Sequence, residues 1–213
     1  MDNKKTKQKF STREISVIAI FTALTAVLAQ IAFPLPFTPT PISFGLVAVY
    51  ITGMLLKPRH AVFSQICYLA LGAVGAPVFG NFSGGIGALL GPTGGYLATY
   101  PIMAWIVATA LNSPKSLRAE QKQHGSLTFL KAGISMLISH TILYLCGTIW
   151  LSFATGNSFK ASLALAVYPF ILLDIFKIAF CIFVVVPFRS RLKAMNLLIL
   201  DNEPGGNNNF ANN

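Results

Sequence analysis

The sequence predicts an all-α membrane protein of six transmembrane helices with both termini on the cytoplasmic side. Three observations carry this. Apolar residues make up 54% of the 213 residues and charged residues only 10%, a balance that no soluble domain of this size needs. The apolar residues gather in six runs separated by proline, glycine or basic clusters. The basic residues also alternate with those runs. The N-terminal Lys4, Lys5, Lys7, Lys9 and Arg13, then Lys57 and Arg59, then Lys115, Arg118 and Lys122, then Arg189, Arg191 and Lys193 fall on one side, thirteen in all, against Lys160 alone on the other. Positive charge stays inside. The same placement accounts for the net charge of +10 by orientation in a lipid bilayer, with no nucleic acid as partner.

Taken in order, residues 1–14 form a basic tail and Ile15–Phe33 the first span. That run is longer than the apolar core of a secretory signal, and no A-x-A site follows it. Pro34-Leu35-Pro36-Phe37-Thr38-Pro39-Thr40-Pro41 places four prolines in eight residues without a charge. Alternating proline removes donors and fixes φ, so a stiff extended loop is expected. The second span covers Ile42–Leu56 and the third Ala61–Val74. From Gly75 to Gly95 the chain is dense in glycine, apolar and uncharged, which suits non-helical backbone at membrane depth where it lines a cavity.

The fourth span covers Gly94–Leu111, followed by an aqueous loop from Asn112 to Gly125. The fifth covers Phe129–Phe153. Ala161–Tyr168 reads either as a short helix or as the start of the sixth span, Pro169–Pro187, which Arg189, Arg191 and Lys193 close. One membrane domain over 15–193 is therefore expected, with a polar, disordered tail over 194–213.

The chemistry within this frame is sparse. No glycine precedes a lysine, so there is no phosphate loop. Of six acidic residues only Asp174 lies inside a span, which leaves no aspartyl dyad. H-E-x-x-H is absent, and Cys67, Cys146 and Cys181 show no metal-ligand spacing. No catalytic residue, metal site or cofactor is expected. Asp174 and Lys177, three residues apart, share a helix face and can turn inward together; intramembrane charge defaults to a polar ligand site, the alternative being an ion pair that fixes packing.

Asn81 offers donors and acceptors, though Gly-Asn also suits an ordinary turn. Phe79, Phe82 and Tyr96 can supply apolar walls, Tyr96 alternatively serving in an interfacial belt. Glycines such as Gly75 let backbone approach a ligand closely. These residues suit a small molecule with an amide-like or ureido head and an apolar body. His140 reads as a histidine bonded across to a neighbour or, alternatively, as a proton relay or ligand contact. On the first span, Ala19 and Ala23, with Thr22 and Ala26 repeating the spacing, make a small-residue stripe for a partner helix or for internal packing.

At PLPFTPTPIS, GAPVFGNFSGGIGALLGPTGGY and PFILLDIFK the chain resembles the BioY family, the biotin-specific S components of energy-coupling factor (ECF) transporters. The resemblance runs over about residues 15–190. It implies the S-component fold, no enzyme activity, biotin captured from the outer side of a bacterial plasma membrane, and partnership with a T component and two ATPase subunits. It implies ligand contacts at Asn81, Asp174 and Lys177, and contact with the T component at Ala19 and Ala23. A solitary transporter working without ATPases is the alternative.

Overall fold

The computed structural model describes residues 11–112 and 126–194. The expected disordered tail over 194–213 and most of the 112–125 loop lie outside the described residues. Helix α1 spans Thr12–Gln30. Ser11 opens it: its hydroxyl accepts the Glu14 N–H at 3.3 Å, while Glu14 Oε2 accepts the Ser11 N–H at 2.7 Å. This reciprocal box satisfies two donors that the first turn would leave orphaned. Glu14 stands in the first turn of α1, with its Oε1 2.9 Å from His60 Nε2.

The first helix ends at Gln30 rather than Phe33, because the chain turns into a hairpin. Strand β1 (Ala32–Leu35) pairs antiparallel with β2 (Thr38–Ser43), Ala32 opposite Ser43 and Leu35 opposite Thr38. Two expectations are corrected here. The fold is not purely helical, and the proline segment is not an unpaired extended loop but part of a strand pair. Each strand of a two-stranded ribbon is an edge, so prolines can sit where no ladder donor is required. The ribbon is tied back to the helices through Phe44 N–H to Ile31 O (3.1 Å) and Ser43 Oγ to Ala29 O (3.4 Å).

Helix α2 (Gly45–Leu55) is short and almost wholly buried, and α3 (Pro58–Ala73) follows with proline in its first turn. The glycine-rich stretch forms a 3-10 turn at Gly80–Phe82 and two short helices, α4 (Ile86–Leu90) and α5 (Gly94–Ala98), before α6 (Tyr100–Asn112). Helix α7 (Ser126–Thr155) is the longest; α8 (Phe159–Ala166) is short, as one of the two sequence readings had it. The last apolar run is α9 (Ile171–Phe180), a π-helical turn (Cys181–Val185) and α10 (Val186–Ala194).

Among the described residues four helical stretches are long and apolar enough to cross a bilayer: Thr12–Gln30, Gly94–Asn112, Leu127–Thr155 and Ile171–Leu192. The 11 residues of α2 give a rod of about 16 Å, short of the roughly 30 Å hydrocarbon core. Protein surrounds that rod instead. Val49, Tyr50 and Met54 of α2 pack with Tyr68 of α3 and with Met103, Ala104 and Val107 of α6, all at most 1% exposed. Apolar side chains such as Ile20, Val27, Phe153, Leu172, Phe176 and Phe183 point outward instead, as they do where lipid is the solvent.

At the end away from the hairpin the last helix carries Arg189, fully buried. Its Nε donates to Met54 O (3.1 Å) and its Nη2 to Leu111 O (3.0 Å), and both reach Asn112 Oδ1. Asn112 Nδ2 in turn donates to the carbonyls of Gly53, Met54 and Leu56, each at 2.9 Å. The sequence pattern places Arg189 among the basic residues that close the sixth span on the cytoplasmic side, and Asn112 at the start of an aqueous loop. Both instead cap the C-termini of α2 and α6, where terminal carbonyls need donors and the helix dipole favours a cation.

Candidate functional site

Helix α9 shows why its two charges turn inward together. Ile171, Leu172, Leu173, Ile175, Phe176 and Phe180 are exposed, whereas Asp174 and Lys177 are 4% and 5% exposed. A spacing of three residues puts both on the one face directed at protein. Lys177 Nζ donates to Asp174 Oδ1 at 2.9 Å. Asp174 also stands in the first turn of α9, where the free N–H groups favour an anion.

The second oxygen of Asp174 is taken up from α7. His140 Nε2 lies 3.1 Å from Oδ2, and Tyr144 Oη donates to it at 2.7 Å. His140 and Tyr144 are one helical turn apart, their rings edge to face at 4.4 Å. On its far side His140 Nδ1 meets Tyr50 Oη of α2 at 2.8 Å. His140 therefore is bonded to neighbours, one of its two sequence readings, and the neighbours are a tyrosine and the site aspartate.

Two adjoining cavities open beneath the hairpin. The smaller, about 70 Å³, reaches Asp174, Lys177 and Tyr144, with Leu143 and Phe170 as apolar walls. The larger, about 280 Å³, is lined by Asn81, Phe79 and Tyr68 and by no charged side chain. Thr40, Pro41, Ser43, Tyr96 and Tyr100 border both. Together they fall at the lower end of ordinary ligand pockets, roughly 300–1,000 Å³. Tyr68 Oη and Thr40 Oγ1, both on the larger cavity, find no hydrogen-bond partner among the described residues, which leaves polar capacity for a ligand.

Backbone detail places the walls. Gly72 lies under the Phe79 ring and Gly147 under the Tyr96 ring, so that a Cβ at either would overlap the aromatic atoms. Asn81 is in the left-handed region (φ 57°, ψ 38°), as is Phe82 (φ 55°). Such residues persist when the surroundings hold them, and Gln30 does so: its Nε2 donates to Pro77 O at 3.3 Å and its Oε1 accepts the Phe82 N–H at 2.9 Å.

Of the residues singled out from sequence, Asn81, Phe79, Tyr96, Asp174 and Lys177 border the two cavities. Phe82 is 72% exposed and lines neither, so its expected wall role is corrected. Gly75 also lines neither cavity. It has φ +103° and open space beyond, a turn after α3 rather than a point of close approach. Ala19 and Ala23 are exposed on α1, while Thr22 is buried and donates to Ser64 O at 2.9 Å. The helix thus separates the two small-residue rows, one inward and one outward.

Sequence reasoning passed over Tyr50, Tyr68, Tyr100 and Tyr144. For Tyr144 a signal existed, the four-residue step from His140 within one apolar run. Tyr50 carried none, since its place depends on α2 crossing α7 ninety residues away.

Comparison with known proteins adds an independent line. A family model described as the BioY family matches residues 3–194. A probable biotin transporter BioY of Pyrococcus horikoshii is 36% identical over 167 residues, covering 78% of this chain and 90% of that one. The biotin transporter BioY of Thermotoga maritima is 32% identical over 166 residues, covering 78% and 89%. Among solved structures, the crystal structure of the S-component for biotin from an ECF-type ABC transporter superposes with a TM-score of 0.73 at 26% identity, covering 85% of this chain and 95% of that one.

Proposed function

The chain belongs to the BioY family, and from that premise we propose that it is the S component of an ECF-type importer, capturing biotin from the outer side of the plasma membrane. It is a membrane protein whose relatives are named as transporters, not enzymes, and biotin is cargo rather than cofactor.

The observation that carries the reading is the Asp174–Lys177 pair facing a cavity under the hairpin. A carboxylate has about four acceptor positions. His140 and Tyr144 occupy Oδ2, and Lys177 takes one position on Oδ1. What remains is one acceptor position on Oδ1 beside the further N–H donors of the Lys177 ammonium. Side by side, an acceptor and a donor complement an N–H and the adjacent C=O of a cyclic urea. In a protein-lined pocket a ligand lacking that pattern would leave buried polar groups unpaired, which is how such a site selects. The larger uncharged cavity, with Asn81 at its rim, suits the remainder of the vitamin.

With six passes counted, the short α2 being enclosed by protein rather than crossing lipid by itself, and with both termini cytoplasmic, the hairpin and this pair fall on the outer half, where the prolines form a stiff rim over the mouth. The exposed Ala19–Ala23 row suits close packing by the T component. With no phosphate loop in the chain, energy comes from two partner ATPases. Calorimetric titration with biotin in detergent tests the binding role: saturable binding at one site is expected, and no binding would overturn it. Bulky Ala19→Trp and Ala23→Trp changes should abolish association with the T component and leave biotin binding unchanged. Biotin accumulation in liposomes by the purified chain alone would contradict the need for ATPases.

A further inference from the structure

We propose that His140, braced at its far nitrogen by Tyr50, is the positioning residue that fixes Asp174 for ligand recognition. The proposal rests on the reading of Asp174 and Lys177 as the ureido-binding pair and goes beyond it, because neither His140 nor Tyr50 lines either cavity.

The tautomer follows from charge and geometry. His140 is 7% exposed and Tyr50 1%. The groups facing the ring are Tyr50 of α2, Tyr144 of its own helix and the Asp174–Lys177 pair of α9. That pair is already neutral as a unit, and a cationic imidazole would leave an uncompensated buried charge. An ionised carboxylate oxygen can only accept, so with a neutral ring the proton resides on Nε2 and is donated to Asp174 Oδ2 at 3.1 Å, which leaves Nδ1 to accept from the Tyr50 hydroxyl at 2.8 Å. The opposite tautomer would set two lone pairs against each other at Nε2 and Oδ2. The tyrosine on α2 therefore braces the imidazole on α7 that, with Tyr144, occupies Oδ2 of Asp174 and leaves a position on Oδ1 for the ligand.

The test measures biotin affinity and melting temperature for wild type, His140→Leu, His140→Gln, Tyr50→Phe and the His140→Leu/Tyr50→Phe pair. Gln places an amide N–H near the position of Nε2. His140→Leu is expected to weaken biotin binding about 10–100-fold and His140→Gln to recover most of that loss. Tyr50→Phe should weaken binding about 3–10-fold in the wild-type background and not at all beside His140→Leu. Strict additivity of the two substitutions, or wild-type affinity in His140→Leu, would overturn the proposal while leaving biotin binding by the wild type intact.

Nitrogen-15 spectra of labelled histidine, assigned by difference with His140→Gln, read the tautomer without biotin. A signal protonated at Nε2 alone that changes in Tyr50→Phe is expected. Protonation at Nδ1, or at both nitrogens, would overturn the assignment even if the wild type bound no biotin, the result that would sink the functional reading itself.

Discussion

The last apolar run buries charge at both of its ends, and the two ends are built to opposite purposes. Asp174 and Arg189 stand 15 residues apart, about 22 Å along a helix. Arg189 is fully buried, its partners include backbone carbonyls and the Asn112 amide, and it lines neither cavity. Asp174 is held by three side chains, from Lys177, His140 and Tyr144, and borders a cavity. Backbone carbonyls at helix ends are fixed, so a charge bound to them serves the fold. Side chains beside open space can exchange partners, so a charge bound to them can serve a ligand. Burial alone does not distinguish the two; the kind of partner and the presence of space do.

The contrast can be broken from either end. The largest effect is expected from Arg189→Met, which strands the carbonyls of α2 and α6 together with Asn112. It should cost about 1–3 kcal/mol for each acceptor left unpaired, read as a lowered melting temperature, while the fraction that folds binds biotin with wild-type affinity. A loss of affinity in the folded fraction would mean that the two ends are not independent. Asp174→Asn should do the reverse, weakening biotin binding about 100-fold. Its melting temperature should fall less than that of Arg189→Met, because Lys177 opens onto the cavity and can be hydrated there. The smallest effect is expected from Asn81→Gly, which keeps the left-handed backbone at no steric cost and removes only the amide. A 3–10-fold weakening, about the worth of one hydrogen bond, would place the amide among the ligand contacts; unchanged affinity would reduce Asn81 to a turn residue.

Much of this contrast was legible in the sequence, but unevenly. The step from Asp174 to Lys177 is a local relation, and helix geometry turns it into a shared face without help from elsewhere. Asn81 and Tyr96 were legible because glycine density marked their stretch as unable to form one helix. Arg189 was misread for a physical reason. A basic residue closing an apolar run has the same local pattern whether it meets water or the carbonyl ends of two other helices, and only packing separates the cases. The hairpin was hidden by proline, which argues against strands wherever a ladder donor is needed but not in a two-stranded ribbon. Tyr50 and His140 come together only through the crossing of α2 and α7, a long-range relation on which no local pattern bears.

The central claim is that Asp174 and Lys177 read the ureido N–H and C=O of biotin. Its most direct test is calorimetric titration of wild type and Asp174→Asn with biotin and with biotin methylated at the ureido nitrogens. Wild type should discriminate strongly against the methylated ligand and Asp174→Asn should bind the two with similar, weak affinity. Equal discrimination by both proteins would contradict the account.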